Sequence, residues 1–294
     1  MSTRSGLTSL IGRPNVGKST LLNALMGKKI SITSHKPQTT RQNLYGIITQ
    51  DDSQMVFIDT PGLHRLEPRK LNQWMNKQAR STLEDIDIIL FMIEAGNWTP
   101  EDDHVLKLLR PDQRVILIIN KIDCFKEKEE LLPFMQEVSQ KFAFDSVIPL
   151  SAFCKDNIDV LKNKILSTLP EGPFYFPEDM ICSRETPFQI SELIREKIMR
   201  ELEKEVPYAT TVQIEKMSQR PTCKEIHALI WVEREGQKRI LIGAKGETLK
   251  AIGTHARRDI ERLIGEKVLL KLWVKVKKGW ADDARALAEL GFTA

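Results

Sequence analysis

Gly12-Arg-Pro-Asn-Val-Gly17-Lys18-Ser19 is the stretch that decides how this chain is read. It satisfies the G-x-x-x-x-G-K-[ST] phosphate-loop pattern. An apolar run, Gly6–Ile11, precedes it, and a helical pattern, Ser19–Met26, follows. That strand–loop–helix context is what phosphate binding requires. Glycines let the backbone wrap close to phosphate oxygens, and free N–H groups at a helix N-terminus attract anions. Lys18 is expected to reach the β- and γ-phosphates, and the Ser19 hydroxyl to ligate Mg²⁺. The whole run Gly12, Arg13, Pro14, Asn15, Val16, Gly17, Lys18, Ser19 and Thr20 is expected to touch the nucleotide.

Further along, Gln54–Ile58, Ile86–Ile93, Val115–Ile119 and Ser146–Leu150 read as short buried strands. Asn72–Leu83, Glu101–Leu109 and Glu127–Phe142 read as helices between them. This alternation argues for an α/β layer fold with a mostly parallel sheet. Ligands of such sheets gather at the carboxyl ends of the strands. Asn120-Lys121-Ile122-Asp123 sits at one such end and selects among purines. The Asp123 carboxylate can accept from the N1–H and N2–H₂ of guanine, a donor pair that adenine lacks. The Asn120 amide can hold the loop or the base, and the Lys121 stem can cover the ring. Asp59-Thr60-Pro61-Gly62 ends another strand. There Asp59 is expected to hold Mg²⁺ and the Gly62 N–H to sense the γ-phosphate. Ser151-Ala152, after Val147–Leu150, can offer an N–H to guanine O6.

Proline clusters at Pro170, Pro173, Pro177 and Pro187, and that segment reads as a linker. Beyond it, Ser191–Glu205 reads as a helix, Ala209–Lys216 and Ile226–Glu233 as strands, Gly246 to about Leu263 as a helix, Val268–Val276 as a strand and Ala281–Leu290 as a short terminal helix. Between the second strand and that long helix lies Gly243-Ala-Lys-Gly246. A Gly-x-x-Gly loop joining two helical segments can clamp the backbone of single-stranded RNA. Ile242, Gly243, Ala244, Lys245, Gly246 and Lys250 are the expected RNA contacts. Ile240, Ile242, Leu249 and Ile252 would wall the base groove. The 294 residues carry a net charge of only +4, but residues 238–278 hold twelve Lys/Arg against four Asp/Glu. Charge of that density is an electrostatic footprint for a polyanion.

This ordered set resembles the translation-factor class of GTPases, in its Era-like branch, over about residues 6–292. Ile30-Ser-Ile-Thr-Ser34, Asp59–Leu63, Val232–Lys238 and Leu272–Asp283 carry the likeness together with the motifs above. In that branch a switch threonine directly precedes an arginine. Here the stretch is Thr39-Thr40-Arg41, so the Mg²⁺-ligand role passes to Thr40, with Thr39 the alternative. The resemblance implies an α/β P-loop GTPase domain with a mostly parallel six-stranded sheet over residues 1–170. A linker over 171–187 and a smaller α+β type II KH domain over 188–294 would follow. It implies Mg²⁺-dependent hydrolysis of GTP to GDP with Lys18, Thr40 and Gly62 as catalytic groups. It also implies binding to the 3′ end of small-subunit ribosomal RNA, assistance to 30S maturation, and peripheral association with the bacterial inner membrane. No DNA partner is expected.

Two departures bear on mechanism. Leu63 stands where Ras-like proteins carry the glutamine that orients the attacking water, so slow unaided turnover is expected. Phe153–Asn157 lacks the glycine common after the Ser-Ala element. His64 and Arg65 read as switch-loop residues. A competing reading makes the chain a membrane-associated cell-cycle GTPase whose basic block serves anionic lipid, without RNA. Against it, the sequence has no sustained basic amphipathic helix with large apolar anchors. A tandem-domain GTPase is excluded by the single phosphate loop. Four scattered cysteines, no apolar leader and no apolar stretch near ~20 residues lead to the expectation of a reduced, cytoplasmic protein. Asp123→Asn is expected to shift preference from guanine to xanthine nucleotides, read by competition binding; unchanged GTP affinity would contradict the base-reading role of Asp123.

Overall fold

The computed structural model of the chain describes residues 2–36, 39–59, 70–81 and 85–290. In chain order the first part runs β1 (Arg4–Ile11), α1 (Lys18–Met26), β2 (Leu44–Gln50), β3 (Ser53–Asp59), α2 (Lys70–Ser81), β4 (Ile88–Glu94), α3 (Pro100–Leu106), β5 (Val115–Asn120), α4 (Leu132–Ser139), β6 (Ser146–Leu150) and α5 (Ile158–Thr168). The second part runs α6 (Thr186–Glu201), β7 (Thr211–Gln219), β8 (Lys224–Val232), α7 (Glu235–Ile242), α8 (Glu247–Ile264), β9 (Val268–Val276) and α9 (Ala284–Glu289).

The first sheet has six strands in the order β2-β3-β1-β4-β5-β6. All neighbours are parallel except β2, which runs antiparallel to β3. Central strands covered on both faces read as unbroken apolar runs. Ile88–Ile93 and Val115–Ile119 are such runs, every residue fully buried. β2 escapes the sequence reading of strands because it is an edge strand with Tyr45 and Gly46 in its middle. Its signal is the tight turn into β3, where Asp51 takes φ 51°, a left-handed conformation that Asp tolerates better than most residues. α5 also goes unread, although Ile158, Leu161 and Ile165 share one buried face.

The expected helix over Glu127–Phe142 divides. Lys128–Leu131 forms a one-turn 3₁₀ helix and α4 restarts at Leu132, with Pro133 in its first turn. A proline lacks the N–H that an interior turn needs, but fits a first turn. The same rule moves the start of α6. Pro187, read as linker, occupies the first turn of a helix that begins at Thr186 and ends at Glu201. Two compact units meet in sequence at Ser183 and Arg184. Residues 171–183 are bound to the first unit instead of hanging free. Gly172 N donates to Thr3 O, Ile47 N to Ile181 O and Ser183 N to Tyr45 O. Gln54, fully buried, accepts from Tyr175 N and Phe176 N at 2.9 and 3.0 Å and donates to Phe176 O at 2.8 Å. Non-helical backbone there finds partners along a strand edge, which satisfies its polar groups.

The second unit is a three-stranded sheet in the order β7-β8-β9, with β7–β8 antiparallel and β8–β9 parallel. Helices α6, α7 and α8 cover one face. Ile194, Ile198, Ile226, Ile230, Leu241, Ile252, Ala256 and Ile260 form its core, each at 0% exposure. Trp280, also fully buried, donates from Nε1 to Ala209 O at 3.1 Å. The expected terminal helix is a 3₁₀ turn over Trp280–Asp282 followed by α9, whose N-cap Asp283 accepts from Arg285 N. Gln54→Ala removes the three hydrogen bonds that hold residues 175 and 176. We expect faster amide exchange across residues 175–183 and a loss of about 1–3 kcal/mol in unfolding free energy; unchanged exchange there rejects the strap assignment.

Candidate functional site

The carboxyl ends of β1, β3, β5 and β6 converge on one cleft of about 390 Å³. Its floor is the loop between β1 and α1. Gly12 takes φ 149°, and a Cβ there would lie 2.4 Å from Met92 O. Gly17 takes φ 107°, and a Cβ there would lie 2.3 Å from Asn120 Nδ2. Both positions therefore require glycine, for conformation and for space. Lys18 is buried and its Nζ donates to Gly12 O at 2.8 Å and Arg13 O at 2.9 Å. Burial lowers its pKa to about 8, against the opposing pull of the Asp59 charge.

Asp59, fully buried at the end of β3, gathers three hydroxyls on one carboxylate oxygen. Ser19 Oγ donates to Oδ2 at 3.0 Å, Thr40 Oγ1 at 3.1 Å and Ser31 Oγ at 2.7 Å. Ser19 Oγ and Thr40 Oγ1 lie 3.1 Å apart. The other oxygen, Oδ1, is buried and has no hydrogen-bond partner among the described residues. Burial raises the pKa of Asp59, opposed by Ser31, Lys18, Ser19 and Thr40. A carboxylate stripped of water, with hydroxyl oxygens beside it and one oxygen unspent, fits a hard divalent cation. Thr40, not Thr39, meets Asp59; Thr39 Oγ1 donates to Lys36 O at 2.6 Å. Ser31 joins the group unforeseen. Its one sequence signal is its place in the Ile30–Ser34 stretch.

At the other end of the cleft Asn120 acts as a brace. Its Nδ2 donates to Val16 O at 2.7 Å, and its Oδ1 accepts from Ala152 N at 3.0 Å. Of the two roles open to Asn120, holding the loop is the one its geometry takes. The Ala152 N–H, expected on a guanine oxygen, donates here to Asn120 Oδ1. Ile122 turns into the core at 3% exposure, so its expected contact with nucleotide is corrected to a packing role. Val16 is likewise fully buried and offers only its backbone. Asp123 lines the cleft and accepts from Ser151 Oγ on Oδ1 at 2.5 Å.

Lys121, at φ 68°, places Nζ 2.7 Å from Glu94 Oε1. Arg13 bridges Glu94 Oε2 at 2.7 Å and Asp102 Oδ2 at 3.1 Å. Burial would raise the Glu94 pKa, but Lys121 and Arg13 outweigh it and hold the carboxyl below its usual range. Arg13, expected on the nucleotide, thus spends its guanidinium on two carboxylates, and only its backbone faces Lys18. Pro14, Asn15 and Thr20 line the cleft as expected. Thr60, Pro61, Gly62 and Leu63, with His64 and Arg65, lie outside the described residues.

The Gly-x-x-Gly loop links α7 and α8. Gly243 takes φ 75° and a Cβ there would lie 2.2 Å from Thr248 Oγ1, while Gly246 takes φ 82° with open space around it. Ala244, Lys245 and Lys250 are exposed and Ile242 is half-buried. The expected apolar wall needs correction. Ile252 is fully buried in the helix–sheet core and Ile240 is 52% exposed, because α7 turns Leu241 inward and α8 packs Ile252, Ala256 and Ile260 on the sheet. Only Ile242 and Leu249 stay at the margin of the loop.

The model of the 50S ribosome-binding GTPase family matches residues 8–121, and that of the KH domain family matches residues 205–281. GTPase Era of Actinobacillus pleuropneumoniae serotype 5b (strain L20) is 51% identical over 293 residues, covering 99% of this chain and 96% of that protein. GTPase Era of Azotobacter vinelandii (strain DJ / ATCC BAA-1303) is 49% identical over 292 residues, covering 99% and 97%. A crystal structure of Era in complex with MgGDPNP and nucleotides 1506–1542 of 16S ribosomal RNA superposes with a TM-score of 0.95 at 38% identity, covering 99% of this chain and 100% of that one. A variant of Aquifex aeolicus Era bound to GDP·AlF4⁻ matches with the same TM-score and identity.

A phosphate-bearing ligand needs Lys18 charged. Because its pKa is lowered to about 8, the free protein loses that charge as pH rises through this value. Affinity for GDP is expected to fall by up to about tenfold between roughly pH 8 and 9. Lys18→Arg, which keeps its charge throughout, is expected to flatten the profile; a flat profile in the native protein contradicts the shift.

Proposed function

The chain belongs to the Era family of GTPases, and from that premise we propose that it is a GTP-driven switch acting on the 3′ end of 16S ribosomal RNA during assembly of the 30S subunit. It is a GTPase, and it uses guanine nucleotide and Mg²⁺. The observation that carries the fuller reading is the presence, in one chain, of the Gly12–Ser19 cradle, the Asn120–Asp123 brace and the Gly243–Gly246 loop. The Era structure that holds a 16S fragment matches this chain across 99% of its length, which supports RNA as the ligand of that loop.

Ser19, Thr40 and Asp59 would hold Mg²⁺, on the evidence of the converging hydroxyls and the unspent Asp59 Oδ1. There it would supply positive charge against the phosphates. The protein's own part is positional and electrostatic. The loop amides between Gly12 and Ser19 face the phosphates at the N-terminus of α1, where the helix dipole favours anions. Lys18 supplies a desolvated cation, worth more in a dry site than in water. Asp123 reads the base, with Ser151 orienting its carboxylate and Asn120 tying the base end to the phosphate end. Gly62, in the segment after Asp59, is the proposed sensor of the γ-phosphate. Leu63 beside it offers no group to orient water, which supports slow turnover without a partner.

In the second unit, Lys245 and Lys250 stand exposed at a loop whose glycines admit a phosphate backbone. The membrane alternative finds less support, since the apolar face of α8 is spent on the protein core. No helix among the described residues is long and apolar enough to cross a membrane. Peripheral association with the inner membrane and a cytoplasmic location remain parts of the proposal. Gly246→Asp adds a negative charge where there is room for it. We expect this variant and Lys245→Glu each to weaken binding of an RNA spanning the 16S 3′ end by tenfold or more, while GTP hydrolysis without RNA persists. Retained RNA affinity in both would remove the loop from the RNA site.

A further inference from the structure

Asn23 stands within α1, yet its side chain serves the loop beyond the helix. Its Oδ1 accepts from Ile30 N and Ser31 N at 2.9 Å each, and its Nδ2 donates to Ser31 O at 2.8 Å. Asn is a mediocre helix former because its amide competes for backbone groups, and here the groups it takes belong to another segment. It lies at i+4 from Ser19 on the same helix, so the face of α1 that presents the Ser19 hydroxyl also holds Ser31. Ser31 is thereby fixed to α1 through its backbone, and it is only 6% exposed. Its Oγ donates to Asp59 Oδ2 at 2.7 Å, closer than Ser19 Oγ at 3.0 Å or Thr40 Oγ1 at 3.1 Å. Ser19 and Thr40 line the nucleotide cleft, and Ser31 does not. The three hydroxyls on Asp59 therefore divide: two are open to a ligand and one is shut away from it.

That division gives them different work. The role proposed for Ser19 and Thr40 turns their oxygens to Mg²⁺, so the position of each answers to what fills the cleft. The position of Ser31 answers to Asn23. It is the donor whose hold on Asp59 does not depend on the ligand. We propose that Ser31, fixed by Asn23, is a positioning residue for Asp59. It holds the carboxylate in the orientation that leaves Oδ1 without a partner among the described residues, and so sets the affinity for Mg²⁺ beside a bound nucleotide. Ser31 acts through Asp59 and not on the ion. Hydrogen-bond partners that orient a ligating carboxylate typically carry about 10–100-fold in metal affinity. Without that anchor the carboxylate must be ordered afresh each time the ion binds, which weakens binding by the free energy of the ordering.

The role of Ser31 rests on the reading of Asp59 as a holder of Mg²⁺, and the test separates the two. The full chain is loaded with a fluorescent GDP analogue and chased with excess GDP over a series of free Mg²⁺ concentrations, down to excess EDTA. Ser31→Ala is expected to raise the Mg²⁺ concentration that half-slows release by about tenfold, and to release the analogue at the native rate in EDTA. Asn23→Ala keeps the Ser31 hydroxyl but frees the backbone that carries it, and is expected to shift the Mg²⁺ midpoint in the same direction. In an Asp59→Asn background, Ser31→Ala is expected to add nothing further. A native Mg²⁺ midpoint in Ser31→Ala, or a faster release that is the same with and without Mg²⁺, overturns the positioning role while leaving the reading of Asp59 intact. An Asp59→Asn variant with a native midpoint overturns the Mg²⁺ reading itself, and the role of Ser31 with it.

Discussion

A carboxylate taken out of water must be repaid with hydrogen bonds or charge, and Asp59 is the place where this protein meets that demand. Three hydroxyls from three separate segments reach one of its oxygens: Ser19 from the phosphate-loop helix, Ser31 from the stretch after it, and Thr40 from the segment before β2. Each hydrogen bond to a charged acceptor is worth about 1.5–3 kcal/mol. The second oxygen is left buried without a described partner, so the group is stable but incomplete. An incomplete, desolvated carboxylate of this kind favours a hard cation beside it, and it ties Ser31 and Thr40 to the same point as Ser19 of the phosphate loop.

The base end is built on a different economy. Asn120 has both ends of its amide committed, to Val16 O and to Ala152 N. Arg13, Glu94, Lys121 and Asp102 form a partly buried chain of charges around it. Breaking one link in such a chain strands the others, so the cost of a substitution exceeds the worth of its own contact. These residues hold the phosphate loop, β4 and the β5 loop in one register. Geometry that selects a base by its edge depends on that register being kept, since a shift of about 1 Å is enough to spoil an aligned pair of hydrogen bonds.

The elements that were legible in the chain were those with strong local periodicity and clear punctuation. β4 and β5 are unbroken apolar runs, and α8 carries Ile252, Ala256 and Ile260 on one face. The misreadings share a cause as well. β2 is an edge strand held by antiparallel pairing with β3 and by the strap at Ile181, neither visible in its own composition. The reading of Glu127–Phe142 as one helix runs through Pro133, and the linker reading takes in Pro187, whereas each proline sits in the first turn of a helix, where its missing N–H costs nothing. Ile252 reads as part of the apolar groove beside the glycine loop, but the sheet beneath α8 claims it.

Residue order alone supplied the succession of nucleotide motifs, including an Asn-Lys-Ile-Asp run at a strand end, and the glycine loop flanked by positive charge. These are properties of residue type and spacing along a few turns of chain. Three-dimensional packing alone settles that Thr40 and not Thr39 meets Asp59, that the Asn120 amide braces Val16 and Ala152, that Arg13 answers two carboxylates, and that Phe153 stands clear of the core. Each of those outcomes depends on which distant loop arrives at the same few ångströms of space. That is set by the packing of strands and helices that are far apart in sequence, and no local pattern records it.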